Sequence, residues 1–144
     1  PFTIYKFQTM KNSTPNCATG ELENPDQYIT KFGRILRKTS LDELPQLWNI
    51  LKGDMSFVGP RPLISSEIRA HRLRLEYGVY RFRPGLTGWA QVNGRDDISL
   101  MKKMKLDKEY CDNWSIGLDL KILWRSVEVC IKQEGFHEGK LHRR

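Results

Sequence analysis

Two adjacent carboxylates, Asp42 and Glu43, lie in the stretch SLDELPQ, residues 40–46. Neighbouring side chains on a helix point about 100° apart, so these two cannot share one proton face to face, but each can have its own role at one site. A carboxylate near the positive end of a helix dipole stays ionised and can attack phosphorus. A glutamate beside it can hold Mg²⁺, which takes oxygen ligands and keeps substrate phosphates among them. The pair therefore suits phosphoryl transfer.

The same residues also match a structural pattern, the Ser-x-x-Glu capping box, with Ser40 and Glu43 ahead of an apolar run. Pro45 would lie inside the helix that such a box begins, where it removes an amide. The helix therefore either bends at Pro45 or begins nearer Leu44, with the carboxylates in a tight turn before it. Both arrangements put Asp42 and Glu43 at the N-terminal end of a helix, and the local sequence leaves capping and catalysis open.

Phosphoryl transfer also needs positive charge around the phosphate oxygens, and arginine binds phosphate bidentately. The candidate residues are Arg37, Arg61 and Arg95. Arg61 is the strongest of them because Pro60 and Pro62 fix the backbone on either side of it. The stretches GPRP and GLTGWAQVNGR either form a site or are turns with Trp89 and Gln91 as core and turn residues.

Composition narrows the class of protein. The chain has 144 residues, 39% of them hydrophobic and 28% charged, which is typical of one globular domain. Its 24 Lys and Arg against 17 Asp and Glu give a net charge of +7, which predicts an anionic partner: nucleic acid, an acidic membrane or a phosphorylated ligand. The three cysteines form no CxxC and the three histidines no HExxH, which argues against a disulfide framework, a zinc site and a metalloprotease. No run approaches the roughly 20 apolar residues of a transmembrane helix.

Hydrophobic periodicity predicts the elements that must position these residues. In chain order they are a strand (2–10), a polar loop (11–26), a helix from residue 27, a second helix ending at Gly53, a short strand and Pro-stiffened loop (55–62), a basic helix (64–75), an irregular or hairpin-like segment (81–95), a Lys-rich helix (99–110) and a long C-terminal helix (116–131). The apolar stripe of the last helix, which includes Trp124, suits either the core or a lipid interface. The predicted fold class is α+β, one α-rich domain over residues 1–144 with short strands and irregular Pro/Gly loops.

Four stretches occur in order between residues 2 and 129: KFQTM, LRKTSLDELPQLWNILKGDMSFVGPRP, RPGLTGWAQVNGR and LDLKILW. Together they resemble the bacterial sugar transferase family, the monotopic polyprenyl-phosphate phosphoglycosyltransferases. The resemblance implies a membrane-associated enzyme at the cytoplasmic face of the bacterial inner membrane. That enzyme would transfer a phospho-sugar from a UDP-sugar to polyprenyl phosphate, release UMP and so initiate glycoconjugate or exopolysaccharide synthesis.

The resemblance also implies residue roles. Asp42 would be the nucleophile that forms a covalent phospho-sugar intermediate, and Glu43 would help to bind Mg²⁺. The substrate-binding residues that it implies are Lys6, Arg37, Pro60, Arg61, Arg95 and Asp107. Of these, Arg37 and Arg61 would face the phosphates, with Arg95 in the same region, while Lys6 and Asp107 would contact the nucleotide.

The chain departs from the family pattern in two places. Gln8 stands where the family commonly has arginine in the first motif. The family places a hydrophobic N-terminal segment in the membrane as a re-entrant helix ahead of that motif, and we expect this segment to be missing from this chain. We therefore expect attachment of this chain to an anionic membrane surface to be weak and reversible.

Two other classes of function remain as alternatives. The net charge and the Arg-rich stretch over residues 69–83 suit a nucleic-acid-binding module. Basic amphipathic surfaces also suit a protein that docks on anionic membranes without catalysis. Neither class needs Asp42, Glu43, Arg37 and Arg61 together, so the enzyme is the favoured interpretation, and we expect no nucleic-acid partner.

Overall fold

The computed structural model describes residues 1–15, 22, 24–94 and 98–132. The elements, in chain order, are a 3-10 helix Pro25–Gln27, α1 Lys31–Thr39, a 3-10 helix Leu41–Glu43, α2 Gln46–Leu51, β1 Ser56–Val58, α3 Ile68–Glu76, a 3-10 helix Val79–Arg81, β2 Gly85–Thr87, α4 Trp89–Val92, α5 Leu100–Asp112 and α6 Ile116–Lys132. The predicted α-rich fold with short strands is thus confirmed. Within the described ranges, every helix is too short or too polar to cross a membrane.

Helix limits follow local signals in the sequence. Thr30 begins α1, and its Oγ1 accepts a hydrogen bond from the N–H of Gly33 at 2.9 Å. Ser99 begins α5 in the same way, accepting from the N–H of Lys102. Such side chains satisfy amide groups that have no partner in the first helical turn. The predicted stop after α2 is also confirmed, because Gly53 has a φ of +83°, which glycine adopts without strain.

The predicted strand over residues 2–10 is wrong. This segment makes one isolated antiparallel bridge, between Met10 and Ile29, and joins no named strand of the described chain. Its backbone instead bonds to a side chain: Asn49 Oδ1 accepts from the N–H of Tyr5 at 3.0 Å, and Asn49 Nδ2 donates to the carbonyl of Thr3 at 2.7 Å. A carboxamide offers a donor and an acceptor, as a peptide group does, so Asn49 replaces a neighbouring strand at this point.

The two strands pair in parallel, with Ser56 opposite Gly85 and Val58 opposite Thr87. The hairpin alternative for residues 81–95 is therefore wrong, because parallel strands need a crossover connection, here through α3. Glycines allow the backbones to approach closely beyond the strand ends. A Cβ on Gly85 would overlap the amide nitrogen of Gly59, and a Cβ on Gly88 would overlap the carbonyl oxygen of Gly59.

The core lies between this small sheet and the last helices. Its buried cluster comprises Val58, Val79, Val92, Tyr110, Cys111 and Ile122. The ring of Phe82 packs edge-on against Tyr110, with ring centroids 5.7 Å apart. The core thus joins β1 to α4, α5 and α6, and leaves α1 and α2 outside it.

Three helices expose apolar residues, and two of them, α2 and α3, also bury polar ones. In α2 the buried residues are Gln46 and Asn49, whereas Trp48 and Leu51 are exposed. In α3 the buried residues are Ala70 and Arg74, and the predicted apolar positions Ile68 and Leu75 are exposed. The stripe of α6, for which the sequence allowed core or interface, is exposed along most of its length: Ile116, Leu120, Trp124, Val127 and Ile131.

Candidate active site

Asp42 and Glu43 lie in a short 3-10 helix between α1 and α2. Ser40 ends α1 in the left-handed conformation, with φ 56° and ψ 16°, and its N–H bonds back to the carbonyl of Arg37. The Ser40 side chain makes no capping hydrogen bond to the turn that follows, so the capping box is wrong. Pro45 directly precedes α2, which confirms the alternative in which the carboxylates lie in a lead-in turn.

Asp42 is 4% exposed, and its Oδ2 lies 2.8 Å from the ammonium nitrogen of Lys6. The main chain also holds these residues together, since the N–H of Phe7 donates to the carbonyl of Asp42 at 2.9 Å. Two residues before Phe7, the N–H of Tyr5 bonds to Asn49. Lys6 is therefore fixed on both sides by backbone hydrogen bonds, which places its side chain at the carboxylates.

Glu43 has two cationic partners. Its Oε1 lies 2.9 Å from Arg61 Nη2 and 3.6 Å from Lys6 Nζ. Burial acts to raise the pKa of Glu43, but Arg61 and then Lys6 outweigh burial and hold that pKa below its ordinary value. Glu43 is therefore ionised at neutral pH.

We call Lys6, Asp42, Glu43 and Arg61 the ion cluster. Two carboxylates and two cations carry no net formal charge, so a diphosphate that approaches them meets no net repulsion. The cations can transfer their hydrogen bonds from the carboxylates to phosphate oxygens. Such an exchange would leave a carboxylate next to phosphorus, which is the geometry that nucleophilic attack requires.

The cluster is compatible with a magnesium ion bound together with a substrate. Within the described residues, no group of three or more His, Cys, Asp or Glu side chains could hold a metal by itself. Mg²⁺ usually takes only one or two protein carboxylates and completes its shell with water and substrate phosphates. Glu43, with Asp42 beside it, offers an oxygen donor set of this kind.

Arg37 packs against the segment that carries Lys6. Its Nε donates to Thr9 Oγ1 at 3.1 Å, and its Nη2 lies 3.6 Å from Met10 Sδ. Gln8, at the position where the family commonly has arginine, donates to the carbonyl of Met10 at 3.1 Å. Arg37 thus joins α1 to this segment, and its predicted contact with phosphate stays a prediction.

The remaining predicted residues lie around Arg61 or outside the described ranges. The carbonyl of Pro60 accepts from the N–H of Gly85 at 3.0 Å, which ties the GPRP loop to β2. Asp107 is buried in α5 and forms an ion pair with Arg74 at 2.6 Å. Burial raises the pKa of Asp107, and the Arg74 guanidinium opposes that shift. Arg95 lies outside the described residues.

Sequence reasoning did not identify two residues that organise the site, Asn49 and Arg74. Asn49 is fully buried, and it is a polar residue within the apolar run of α2. Arg74 lies four residues after Ala70, a spacing that places both on one helix face. The positions of Asn49 and Arg74 within their helices were the features of the sequence that could have identified them. For Arg74, the surrounding arginines of α3 indicated a solvated basic face instead.

The chain matches the family model described as bacterial sugar transferase over residues 1–133. It is 47% identical over 138 residues to the sugar transferase EpsL of Bacillus subtilis, covering 96% of this chain and 67% of that protein. It is 44% identical to the undecaprenyl-phosphate galactose phosphotransferase of Salmonella typhimurium, covering 93% of this chain and 31% of the relative. It is 42% identical to the UDP-glucose:undecaprenyl-phosphate glucose-1-phosphate transferase of Caulobacter vibrioides, covering 88% of this chain and 50% of the relative.

The chain thus spans half or less of the length of two of these relatives. The resemblance inferred from the four motifs is confirmed. This chain belongs to the bacterial sugar transferase family.

Proposed function

We propose that this chain transfers a sugar 1-phosphate from a UDP-sugar to polyprenyl phosphate through a covalent intermediate on Asp42. The observation that carries the proposal is the ion cluster, in which a buried aspartate lies 2.8 Å from Lys6 and its neighbour Glu43 lies 2.9 Å from Arg61. The names of the Salmonella and Caulobacter relatives support the same acceptor, and the latter name supports a UDP-sugar donor.

The reaction has two balanced halves. A carboxylate oxygen of Asp42 forms a bond to the phosphorus that bears the sugar, the bond from that phosphorus to the bridging oxygen breaks, and UMP leaves with the electron pair. An oxygen of polyprenyl phosphate then attacks the same phosphorus, which breaks the aspartyl–phosphate bond and restores the carboxylate. The product is a lipid-linked sugar diphosphate, the starting point for a glycoconjugate or an exopolysaccharide.

The residues of the cluster divide the work. Lys6 and Arg61 bind the diphosphate oxygens and orient the donor, because phosphoryl transfer depends mainly on positioning and on positive charge. Asp42 is held against Lys6 in a site that is closed to most water. Glu43 would help to hold Mg²⁺, which when bound neutralises charge on the diphosphate. Asp107 acts at a distance, since its carboxylate is buried against Arg74.

The acceptor is a lipid, so we further propose that the chain works at an anionic membrane surface, on the cytoplasmic face of the bacterial inner membrane. The support is the exposure of large apolar residues on α1, α2 and α6, among them Phe32, Trp48, Leu51 and Trp124. Monomeric soluble proteins rarely expose such a set unless it contacts a partner or a membrane.

Intact-mass measurement after incubation with Mg²⁺ and each member of a panel of UDP-sugars tests the reaction. We expect one UDP-sugar to add the mass of one phospho-sugar and to release an equal amount of UMP. Polyprenyl phosphate added afterwards should remove the adduct. If no UDP-sugar gives an adduct or releases UMP, the proposed reaction is wrong.

A further inference from the structure

Arg74 is a buried arginine that connects two parts of the molecule. It is 4% exposed, and its Nε and Nη2 donate to Asp107 Oδ2 at 3.1 and 2.6 Å. Its Nη1 donates at 2.6 Å to the backbone carbonyl of Arg61. One guanidinium group therefore joins α5 to the loop that carries a cation of the ion cluster.

The path of that loop depends on a few backbone hydrogen bonds. Pro60 and Pro62 have no N–H, so the loop around Arg61 has few donors of its own. The carbonyl of Pro60 accepts from the N–H of Gly85, and the next carbonyl, that of Arg61, accepts from Arg74. Two consecutive carbonyls are thus fixed by β2 and by α3. From this backbone the Arg61 side chain extends to Glu43 Oε1 at 2.9 Å.

Asp107 sets the orientation of Arg74. A buried guanidinium needs a charged partner, and Asp107, 2% exposed, accepts two of its N–H groups. The planar fork of arginine fixes the third donor relative to these two, so it points at the Arg61 carbonyl. Lysine is a single point charge and cannot present the same three directions.

We propose that Arg74, oriented by Asp107, is a positioning residue that holds the backbone of Arg61. By doing so it keeps the Arg61 guanidinium at Glu43 and at the donor diphosphate. The contact with the diphosphate rests on the proposed function. The competing explanation is that the buried pair only stabilises the core. The two explanations make different predictions. If Arg74 acts by positioning, its effect on activity must disappear when the Arg61 side chain is absent. If it only stabilises the core, its effect does not depend on that side chain.

The first test uses Arg74→Lys, which keeps a positive charge for Asp107 and loses the fork. The matched control is Arg81→Lys, because Arg81 donates in a similar way to a backbone carbonyl and a carboxylate, those of Cys111 and Asp112, outside the site. We expect hydrogen–deuterium exchange of the peptides over residues 59–67 to become faster in Arg74→Lys and to stay unchanged in Arg81→Lys. Unchanged exchange of this loop in Arg74→Lys would overturn the proposal.

The second test is a double-mutant cycle with Arg61→Ala, read as kcat and KM for the donor. In the wild-type background Arg74→Lys should lower kcat/KM by about tenfold or more, as a misplaced binding group does. In the Arg61→Ala background, Arg74→Lys should alter kcat/KM by less than about twofold. The shift in Tm that Arg74→Lys causes should be equal in the wild-type and Arg61→Ala backgrounds. Equal losses of kcat/KM in both backgrounds would overturn the proposal.

A folded alternative is available should Arg74→Lys not fold. Replacing the pair together, Arg74→Met with Asp107→Leu, removes the bond to the Arg61 carbonyl without leaving a buried charge. The same exchange and kinetic results are expected from it. If the wild-type chain transfers no sugar phosphate, the proposed function is wrong. Hydrogen–deuterium exchange of the loop over residues 59–67 would still decide whether Arg74 holds the backbone of Arg61.

Discussion

Asp42 and Glu43 are neighbours in the chain but have different surroundings. The Asp42 carboxylate is buried and lies against Lys6, whereas Glu43 is shared between Arg61 and Lys6. The 3-10 turn produces this difference because it directs successive side chains to different sides. Substitutions of the two residues should therefore have separable effects.

Asp42→Asn should abolish formation of the phospho-sugar adduct and leave the chain folded. An amide has nearly the size of a carboxylate but does not attack phosphorus. The measurement is intact mass with the UDP-sugar that labels the wild type. Asp112→Asn is the matched control, since Asp112 is an exposed acid paired with Lys108 and Arg81, outside the ion cluster. An adduct on the Asp42→Asn variant, with deamidation excluded by peptide mass, would contradict the covalent mechanism.

Glu43→Gln should reduce activity far more than stability. Because the partners hold the pKa of Glu43 below its ordinary value, the charged side chain stabilises the fold at neutral pH. That contribution is present above about pH 4.5 and is lost as the pH falls through the lowered pKa of the folded state. Lys6 and Arg61 are partly exposed, so the contribution is less than about 1 kcal/mol.

Urea unfolding of the wild type and Glu43→Gln between pH 3 and pH 7 measures this contribution. The gap in unfolding free energy should be small at pH 7 and should close towards pH 3. Transfer activity at pH 7 should fall strongly in the variant. Full activity in Glu43→Gln would assign Glu43 a structural role only.

At the scale of elements, the sequence predicted most of the helices because their limits depend on nearby residues. Thr30 and Ser99 begin helices, and Gly53 ends one, through contacts within a few positions. The parallel pairing of β1 and β2 was not predictable in this way. The short strand β1 was predicted within residues 55–62 and is confirmed, but the three residues of β2 show too little alternation to identify as a strand, and the pairing depends on glycines far apart in the chain.

In the candidate site, too, some residues were predictable from the nearby sequence and others depend on tertiary contacts. Asp42, Glu43 and Arg61 were identifiable from residue type and spacing, but Lys6 was identified only through the resemblance. The reason is that a single lysine in a segment that alternates in polarity carries no chemical signal of its own. Lys6 reaches the carboxylates because Asn49 binds the backbone beside it, which is a tertiary contact.

Alanine should have opposite effects on stability at Gly85, in the strand pair, and at Gly117, in α6. Gly85→Ala should lower stability by about 1–3 kcal/mol or more, because the added methyl overlaps the backbone of Gly59. Gly117→Ala should raise stability by up to about 1 kcal/mol, because its methyl meets only Ser115 Oγ at 3.9 Å and alanine favours helix. Melting temperatures of Gly85→Ala and Gly117→Ala, compared with that of the wild type, measure these effects. A Gly85→Ala protein as stable as the wild type would show that the strands can separate without loss.

On the scale of the whole molecule, buried polar contacts accompany the apolar core, and many large apolar side chains are exposed. Leu51 is 78% exposed and Trp124 is 77% exposed. Lys121 and Arg125 of α6 lie over the ring of Trp89, at 5.6 and 5.8 Å from its centroid. Lys121 and Arg125 also directly follow Leu120 and Trp124 of the exposed stripe in the chain, so positive charge lies beside apolar residues, an arrangement suited to an anionic lipid interface.

Leu51→Glu and Trp124→Glu should each weaken binding to anionic vesicles by about tenfold or more, because burying such a side chain contributes about 1.5–3 kcal/mol. Leu75→Glu is the matched control, since Leu75 is an exposed leucine of α3. Flotation at low salt measures binding, and added salt should weaken it. A DNA-binding assay at the same ionic strength tests the other anionic partner. Tight DNA binding, with no preference for anionic over neutral vesicles, would contradict a membrane role.

The buried contacts of Asn49 and Asp107 also impose an order in time on a chain that is made from its N-terminus. Lys6 leaves the ribosome early but has no fixed place until Asn49 has been synthesised and can bind Thr3 and Tyr5. Asp42 and Glu43 follow, yet the Arg61 loop lacks its anchor until Asp107 emerges to orient Arg74. Domains generally fold as units during synthesis, so the nascent chain carries its carboxylates for many residues before a site exists. A ribosome that stalls between residues 62 and 107 therefore holds a chain that contains every residue of the ion cluster but lacks Asp107, and so lacks the geometry of the site.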